Sequence, residues 1–249
     1  MRDGMRFAII GGGNMGSAFA KGLAKSGVEI VSTRRGGDNL AAVAGADVVI
    51  LAVKPQIAGE ILAELRGSVD GKLCISVMAG VSLERLQSGL GTKRVVRTMP
   101  NLAAKVGRAV TVWTAPSCMT RADRRVVRSI LSSVGHVVFV RNEGMVNPAT
   151  AACGSGLAYF FWMEELLIQF LTGKGFCKAE ARQMAGETLG GAADYRRSAK
   201  EHPRTSRRRV TSKRGTTNAG FRKLYRGRVG KKIKESLDAA CRRSRELGK

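Results

Sequence analysis

The chain has 249 residues and a formal net charge of +24; 44% of its residues are hydrophobic but only 5% are aromatic. Two histidines rule out a histidine-rich metal centre or a Ser-His-Asp triad, and five scattered cysteines without a CxxC pair point to buried, reduced thiols. No apolar stretch reaches the roughly 18 residues of a membrane-spanning helix and no secretion signal opens the chain, so a cytoplasmic location with no membrane partner is expected.

Arg6 to Ile10 predicts a short buried strand, followed by a glycine turn at Gly11 to Gly16 and a helix from Asn14 to Ser26 that Gly27 stops. Glu29 to Thr33 predicts a second strand. Asp47 to Val53 predicts a third, apolar enough for a central parallel position. A helix is expected from Gln56 to Arg66, a strand at Leu73 to Met78, a helix near Ser82 to Ser88 and a strand at Arg94 to Arg97. Val110 to Thr114 and Val137 to Val140 read as strands on either side of a helix at Arg121 to Ser133. This alternation is the pattern of a doubly wound α/β sheet.

Strand signals stop near Gly144. Thr150 to Leu171 and Lys178 to Arg197 predict two long helices, and Ile233, Leu237, Ala240, Cys241, Ser244 and Leu247 form one apolar stripe. Two domains follow: a Rossmann-type domain at 1–143 and an all-helical domain at 144–249. A long helix with few polar breaks suits a dimer core. The charge is uneven: from Arg196 onward 20 Lys and Arg face 4 Asp and Glu. That surplus reads first as a solvated basic face. It also permits nonspecific polyanion binding.

The stretch Gly11-Gly12-Gly13-Asn14-Met15-Gly16 fits GxGxxG between a predicted strand and a predicted helix, the setting of a dinucleotide pyrophosphate. Gly11 makes the turn, Gly13 admits the phosphates and Gly16 permits close helix–strand packing. The amide N–H groups of Asn14 and Met15 open the helix. The second strand ends in Ser32-Thr33-Arg34-Arg35, with no acid for a ribose hydroxyl but a hydroxyl and guanidinium groups for a 2′-phosphate. NADPH is therefore the expected cofactor, with NADH the weaker alternative.

The glycine loop, Leu51 to Gln56 (LAVKPQ), Arg97 to Asn101 (RTMPN), Gly154 to Tyr159 (GSGLAY) and Thr211 to Gly220 (TSKRGTTNAG) together resemble the pyrroline-5-carboxylate reductase family, in order and over nearly the whole chain. Arg242 to Leu247 is similar to that family's C-terminal helix. The resemblance implies NADPH-dependent reduction of 1-pyrroline-5-carboxylate to L-proline by a dimer or larger ring. It also implies an active site shared between the cofactor domain of one subunit and the helical domain of another. It places Ala52, Val53, Lys54 and Pro55 on the nicotinamide side, with Ala79 and Gly80 nearby. Ser212, Gly215, Thr216 and Thr217 match the substrate loop, where Thr217 stands at the imine nitrogen and Ser212 at the carboxylate. Taken without the resemblance, Gly215-Thr216-Thr217 reads as a plain helix N-cap. Lys213-Arg214-Gly215 stands where the family usually has Pro-Gly-Gly, so a positive φ at Arg214 would be strained. Two other readings remain open at this point: a weakened reductase-like protein that holds polyanions on its basic face, and a reductase of another cyclic imine.

Overall fold

A computed structural model describes residues 4–247. The chain divides into two compact units. One holds everything described up to Gly154 together with the segment from Ala239 onward, and the other holds Ser155–Asp238.

In the first unit the elements run β1 (Arg6–Ile10), α1 (Asn14–Ala24), β2 (Glu29–Thr33), α2 (Asn39–Ala44), β3 (Val48–Leu51), a 3₁₀ turn at Pro55–Ile57, α3 (Ala58–Glu64), β4 (Leu73–Ser76), α4 (Leu83–Leu90), β5 (Val95–Met99), β6 (Ala109–Thr114), α5 (Arg121–Ser132), β7 (Gly135–Phe139) and α6 (Val146–Ala149). The strands form one seven-stranded sheet in the order β2-β1-β3-β4-β5-β6-β7, parallel except for the β5–β6 pair. Alternate residues of each strand feed opposite faces. Phe7, Ile9, Val48, Ile50 and Ile75 pack on one side with Phe19 and Leu23 of α1 and Val127, Ile130 and Leu131 of α5. Ala8, Ile10, Val49, Leu51 and Cys74 pack on the other with residues of α2, α3 and α4. Burial on both faces is why the strands read as unbroken apolar runs rather than alternating ones.

Local chemistry sets the helix ends. Ser82 accepts a hydrogen bond from the Arg85 amide to open α4, which stops at Gly91 with φ 76°. Thr120 caps α5 through the Asp123 amide at 3.0 Å. Asp38 caps α2 through the Ala41 amide at 2.8 Å. α2 has only six residues, a truncated helix in keeping with the short segment between Thr33 and Asp47.

The second unit contains α7 (Gly156–Thr172), α8 (Lys178–Ala199), α9 (Pro203–Arg209), α10 (Thr216–Arg226) and the first part of α11 (Val229–Glu246). A π-helical turn at Thr150–Ser155 precedes α7, so the long helix read from Thr150 is two pieces. α7 and α8 bury only Gly156, Ala181 and Ala185. Phe160, Phe161, Trp162, Met163 and Phe170 of α7 stay exposed, Phe170 at 62%. Apolar side chains of this size gain roughly 1.5–3 kcal/mol each on burial, so this face calls for a covering surface. No helix among the described residues is long and apolar enough to cross a membrane.

The cysteines depart from the expectation of buried thiols. Cys74 is buried in the sheet, but Cys118 and Cys177 are exposed and Cys153 and Cys241 half-buried, all of them free. Cys177 serves as a helix cap, its sulfur accepting from the Glu180 amide while the Glu180 carboxylate accepts from the Cys177 amide.

Candidate cofactor and substrate sites

The candidate cofactor residues gather at the carboxyl ends of four adjacent strands. Gly11, Gly13, Asn14, Met15 and Gly16 follow β1, Ser32 and Arg34 end β2, Ala52 to Pro55 follow β3, and Ala79 and Gly80 follow β4. The chain turns one way from β1 to β2 and the other way to β3, so the glycine loop sits at the topological switch point, where ligands of open α/β sheets bind.

Sterics fix the loop. A Cβ on Gly16 would lie 1.8 Å from the Gly11 carbonyl oxygen, and one on Gly11 would lie 2.6 Å from the Ala52 carbonyl oxygen at a φ of 106°. The loop thus lies directly against the start of the Ala52–Pro55 segment, which the Ala52 amide pins to the Ile10 carbonyl at 2.8 Å. Gly13 is the N-cap of α1, supplies no side-chain cap, and has open space where a Cβ would be. The first turn of α1 carries no acid. Free amide donors, a positive helix end and room for close approach make a cradle that fits a pyrophosphate.

Arg34 closes over this loop. A Cβ on Gly12 would fall 2.8 Å from Arg34 Cγ and 3.3 Å from its Nε. No carboxylate among the described residues pairs with Arg34. Its neighbour Thr33 turns inward, donating to Asn39 Oδ1 at 2.7 Å, and Asn39 in turn donates to Glu64 at 3.0 Å. The one acid in this network is thereby held on a side-chain amide. Ser32 and Arg34 remain exposed beside the loop.

Five polar links in the first unit could not be read from the sequence. Asn101, the last residue of the RTMPN stretch, donates to the Cys153 carbonyl at 2.9 Å, and so ties that stretch to the π-helical turn that runs into the glycine-serine-glycine block. Buried Arg97 pairs with Glu143 at 2.7 Å, and Glu143 also accepts from the Leu83 amide at 2.8 Å. Asn147 accepts from Arg97 at 3.4 Å and from buried Ser244 at 3.0 Å. Beyond Ser244, Leu247 lies on Gly80, where a Cβ would come within 2.8 Å of it. The hydrogen-bonded partners among these are 46 to 97 residues apart in sequence.

The candidate substrate residues lie together in the helical unit. The Gly215 amide donates to the Ser212 carbonyl at 3.1 Å, closing a turn over Ser212-Lys213-Arg214-Gly215. A Cβ on Gly215 would fall 2.2 Å from Ser212 Oγ, so only glycine brings that hydroxyl onto the start of α10. Arg214 occupies the third turn position with φ 64°, the position that a type II turn reserves for glycine. Gly215 is the N-cap of α10 without a side-chain cap, and Thr216 and Thr217 are the first helical residues. Thr217 is half-buried and its hydroxyl has no hydrogen-bond partner among the described residues.

A separate cavity of about 960 Å³ opens at the opposite end of the sheet, against Val48, Leu73, Lys72, Arg94 and Asp123. Arg94 donates to Asp123 at 2.6 Å, and this bond holds the Asp123 carboxyl below the usual carboxylate range. Nearby, burial pushes the Cys74 thiol up to about 12. Among the described residues no cluster of His, Cys, Asp or Glu could hold a metal ion.

A parallel sheet with a glycine loop at its switch point and an unpaired arginine beside it defines a Rossmann-type dinucleotide-binding protein. The helical unit narrows that class. A family model for pyrroline-5-carboxylate reductase dimerisation matches residues 143–247, and one for NADP oxidoreductase, coenzyme F420-dependent, matches residues 6–44 and 35–80. The chain is 38% identical to a pyrroline-5-carboxylate reductase of Synechocystis over 85% of its own length and 79% of that protein. It superposes on the pyrroline-5-carboxylate reductase structure from Coxiella burnetii with a TM-score of 0.87 at 30% identity, covering 98% of each chain. It shares its fold with a Plasmodium falciparum pyrroline carboxylate reductase solved with NADP bound, at a TM-score of 0.90 and 23% identity over the full length of both. The chain belongs to the pyrroline-5-carboxylate reductase family.

Proposed function

We infer that this chain reduces 1-pyrroline-5-carboxylate to L-proline with NADPH. The observation that carries the reading is likeness to pyrroline-5-carboxylate reductases at 30–38% identity over 85–98% of the chain, joined to a glycine cradle that fits a pyrophosphate. Residues 1–143 form the cofactor domain in this reading, and 144–249 the dimerisation and substrate domain.

The dinucleotide supplies a hydride to the imine carbon. The chain's own residues supply the rest. Amides at Gly13 to Gly16 receive the pyrophosphate at the positive end of α1. Ser32 and Arg34 take the 2′-phosphate, which an Asp or Glu at this place would repel. Ala52 to Pro55 with Ala79 and Gly80 wall the nicotinamide side. Ser212 and the amides of Thr216 and Thr217 hold the substrate carboxylate, with Gly215 closing the turn beneath it, since a turn that opens a helix presents N–H donors to an anion. Thr217 donates a hydrogen bond to the ring nitrogen as negative charge develops there and passes a proton to it, its own hydroxyl proton being replaced from solvent. A neutral hydroxyl serves this role without a histidine.

The exposed aromatic face of α7 and the family's dimerisation match support self-association through the helical domain. We place the dimer or larger ring in the cytoplasm. The basic surface draws polyanions nonspecifically, with binding that fades near physiological salt. The test of the function is oxidation of NADPH at 340 nm on adding 1-pyrroline-5-carboxylate, with proline measured as product. Turnover of other cyclic imines without turnover of this one would redirect the substrate assignment, and no turnover of any imine would leave a binding protein.

A further inference from the structure

Between Glu201 and Glu235 the chain carries thirteen Lys and Arg and no acid. Most of that charge is spread along exposed helix faces, but part of it converges. A cavity of about 280 Å³ opens between α9 and α10, lined by Arg207, Arg208, Thr211, Asn218, Phe221, Arg222 and Tyr225. The four α10 residues among these fall at the spacing of one helix face, one residue round from Thr217.

Arg207 is held in place. Its guanidinium lies 5.0 Å from the Phe221 ring centroid and 5.9 Å from that of Tyr225, and it donates to the Tyr225 hydroxyl. That bond uses the tyrosine oxygen as acceptor and leaves its proton free to donate. Phe221 and Tyr225 also stack on each other at 5.7 Å. Thr211 donates to the Arg207 carbonyl at 2.7 Å and so braces the end of α9. Arg208 and Arg222 are exposed, and among the described residues neither has a hydrogen-bond or ion-pair partner for its guanidinium. Asn218 has none for its amide either. The neighbouring Arg209, by contrast, is paired with Glu201 at 3.1 Å.

Three guanidinium groups converging without a carboxylate repel one another, and every uncommitted polar group they meet can donate. Such a wall is complementary to a ligand made of acceptors with two or more negative charges. The size fits a small ligand, since cavities for drug-sized molecules begin at about 300 Å³. We propose that the α9–α10 cleft is a binding site for a small phosphate-bearing ligand, pyrophosphate or a phosphomonoester, that is separate from the cofactor cradle.

The test uses the full chain saturated with NADPH, so that phosphate cannot enter at the glycine loop. Inorganic pyrophosphate and ribose 5-phosphate are titrated calorimetrically near 0.15 M salt, and the two arms separate a free phosphate anion from a sugar-borne one. The Arg208→Gln/Arg222→Gln variant should bind at least about tenfold more weakly, as expected for losing charge-assisted forks. A Lys232→Gln/Lys234→Gln variant removes the same charge from exposed positions on α11 and should stay within about twofold. Circular dichroism and light scattering check that fold and assembly are unchanged, and proline formation is read separately, so loss of the reductase reading would leave this result standing. Equal weakening in both variants, or no heat from either ligand with wild type, overturns the proposal. So does single-stranded oligonucleotide binding that tightens with length and is lost in the arginine variant, because the cleft would then belong to a nucleic-acid track.

Discussion

Arg214→Gly should tighten the turn that opens α10. Arg214 sits at φ 64°, where a side chain's Cβ crowds the following carbonyl at a cost of roughly 1–2 kcal/mol. Glycine removes that cost but loses more freedom on folding, about 0.5–1 kcal/mol. The Arg214 side chain is exposed and makes no ion pair or hydrogen bond among the described residues, so the substitution removes no contact and isolates the backbone. The difference is a gain of about 0.7 kcal/mol, or close to threefold in a local equilibrium. The Gly215 amide reports it directly, because its hydrogen bond to Ser212 exists only while the turn is closed. Hydrogen exchange at Gly215 should slow by about threefold, and KM for 1-pyrroline-5-carboxylate should fall with the same sign. Lys223→Gly, in the middle of α10, is the control and should cost about 1 kcal/mol. If exchange at Gly215 quickens in Arg214→Gly as it does near Lys223→Gly, the backbone at Arg214 is unstrained and the argument fails.

Four further outcomes are expected. Arg34→Ala should weaken NADPH by about 1–3 kcal/mol and NADH much less; equal losses would count against the 2′-phosphate role. Thr217→Val should lower kcat by about 10²–10⁴-fold with little change in NADPH affinity, and wild-type turnover would mean that the proton comes from elsewhere. Asp123→Asn should destabilise the first unit by about 1 kcal/mol at neutral pH, discounted because Arg94 is partly exposed. Since Asp123 titrates below its unfolded value near 3.9, the wild-type advantage should hold above that pH and vanish as pH falls through the lowered folded value; denaturant melts of both proteins from pH 7 to pH 2 measure it. In the native protein Cys118 and Cys177 should react with a thiol reagent at once and Cys74 only after unfolding, because burial holds its thiol up to about 12.

The sequence was most readable where one local rule acts alone. β1 and β2 have the bounds expected, because a short apolar run ended by glycine or arginine is bounded by chemistry within a few residues. The glycine loop was legible for the same reason. α9 was not, because Pro203–Arg209 carries no apolar residue to reveal a period and is defined by a proline at its first turn and the His202 cap. The π-helical turn at Thr150–Ser155 hid inside an apolar stretch whose composition suits a continuous helix. In the candidate site, the missing acid after β2 pointed to Arg34, yet its position over Gly12 emerges only once β1 and β2 are paired. The Ser212–Thr217 loop was recognised by resemblance alone. The links from Arg97 to Ser244 depend on tertiary packing and leave no trace in local pattern.

The segment from Ala239 onward belongs to the sheet-bearing unit although the whole of Ser155–Asp238 intervenes. On the ribosome, the glycine loop and all seven strands emerge long before Ser244 is available to Asn147 or Leu247 to Gly80. The nascent sheet therefore waits without those two contacts, with Arg97 and Glu143 already able to pair, while the aromatic face of α7 is being extruded. Premature release anywhere in the helical region would yield a polypeptide able to build the strands yet lacking their final covering. For a cell this makes late truncation costly, and for the bench it argues for placing affinity tags at the amino end.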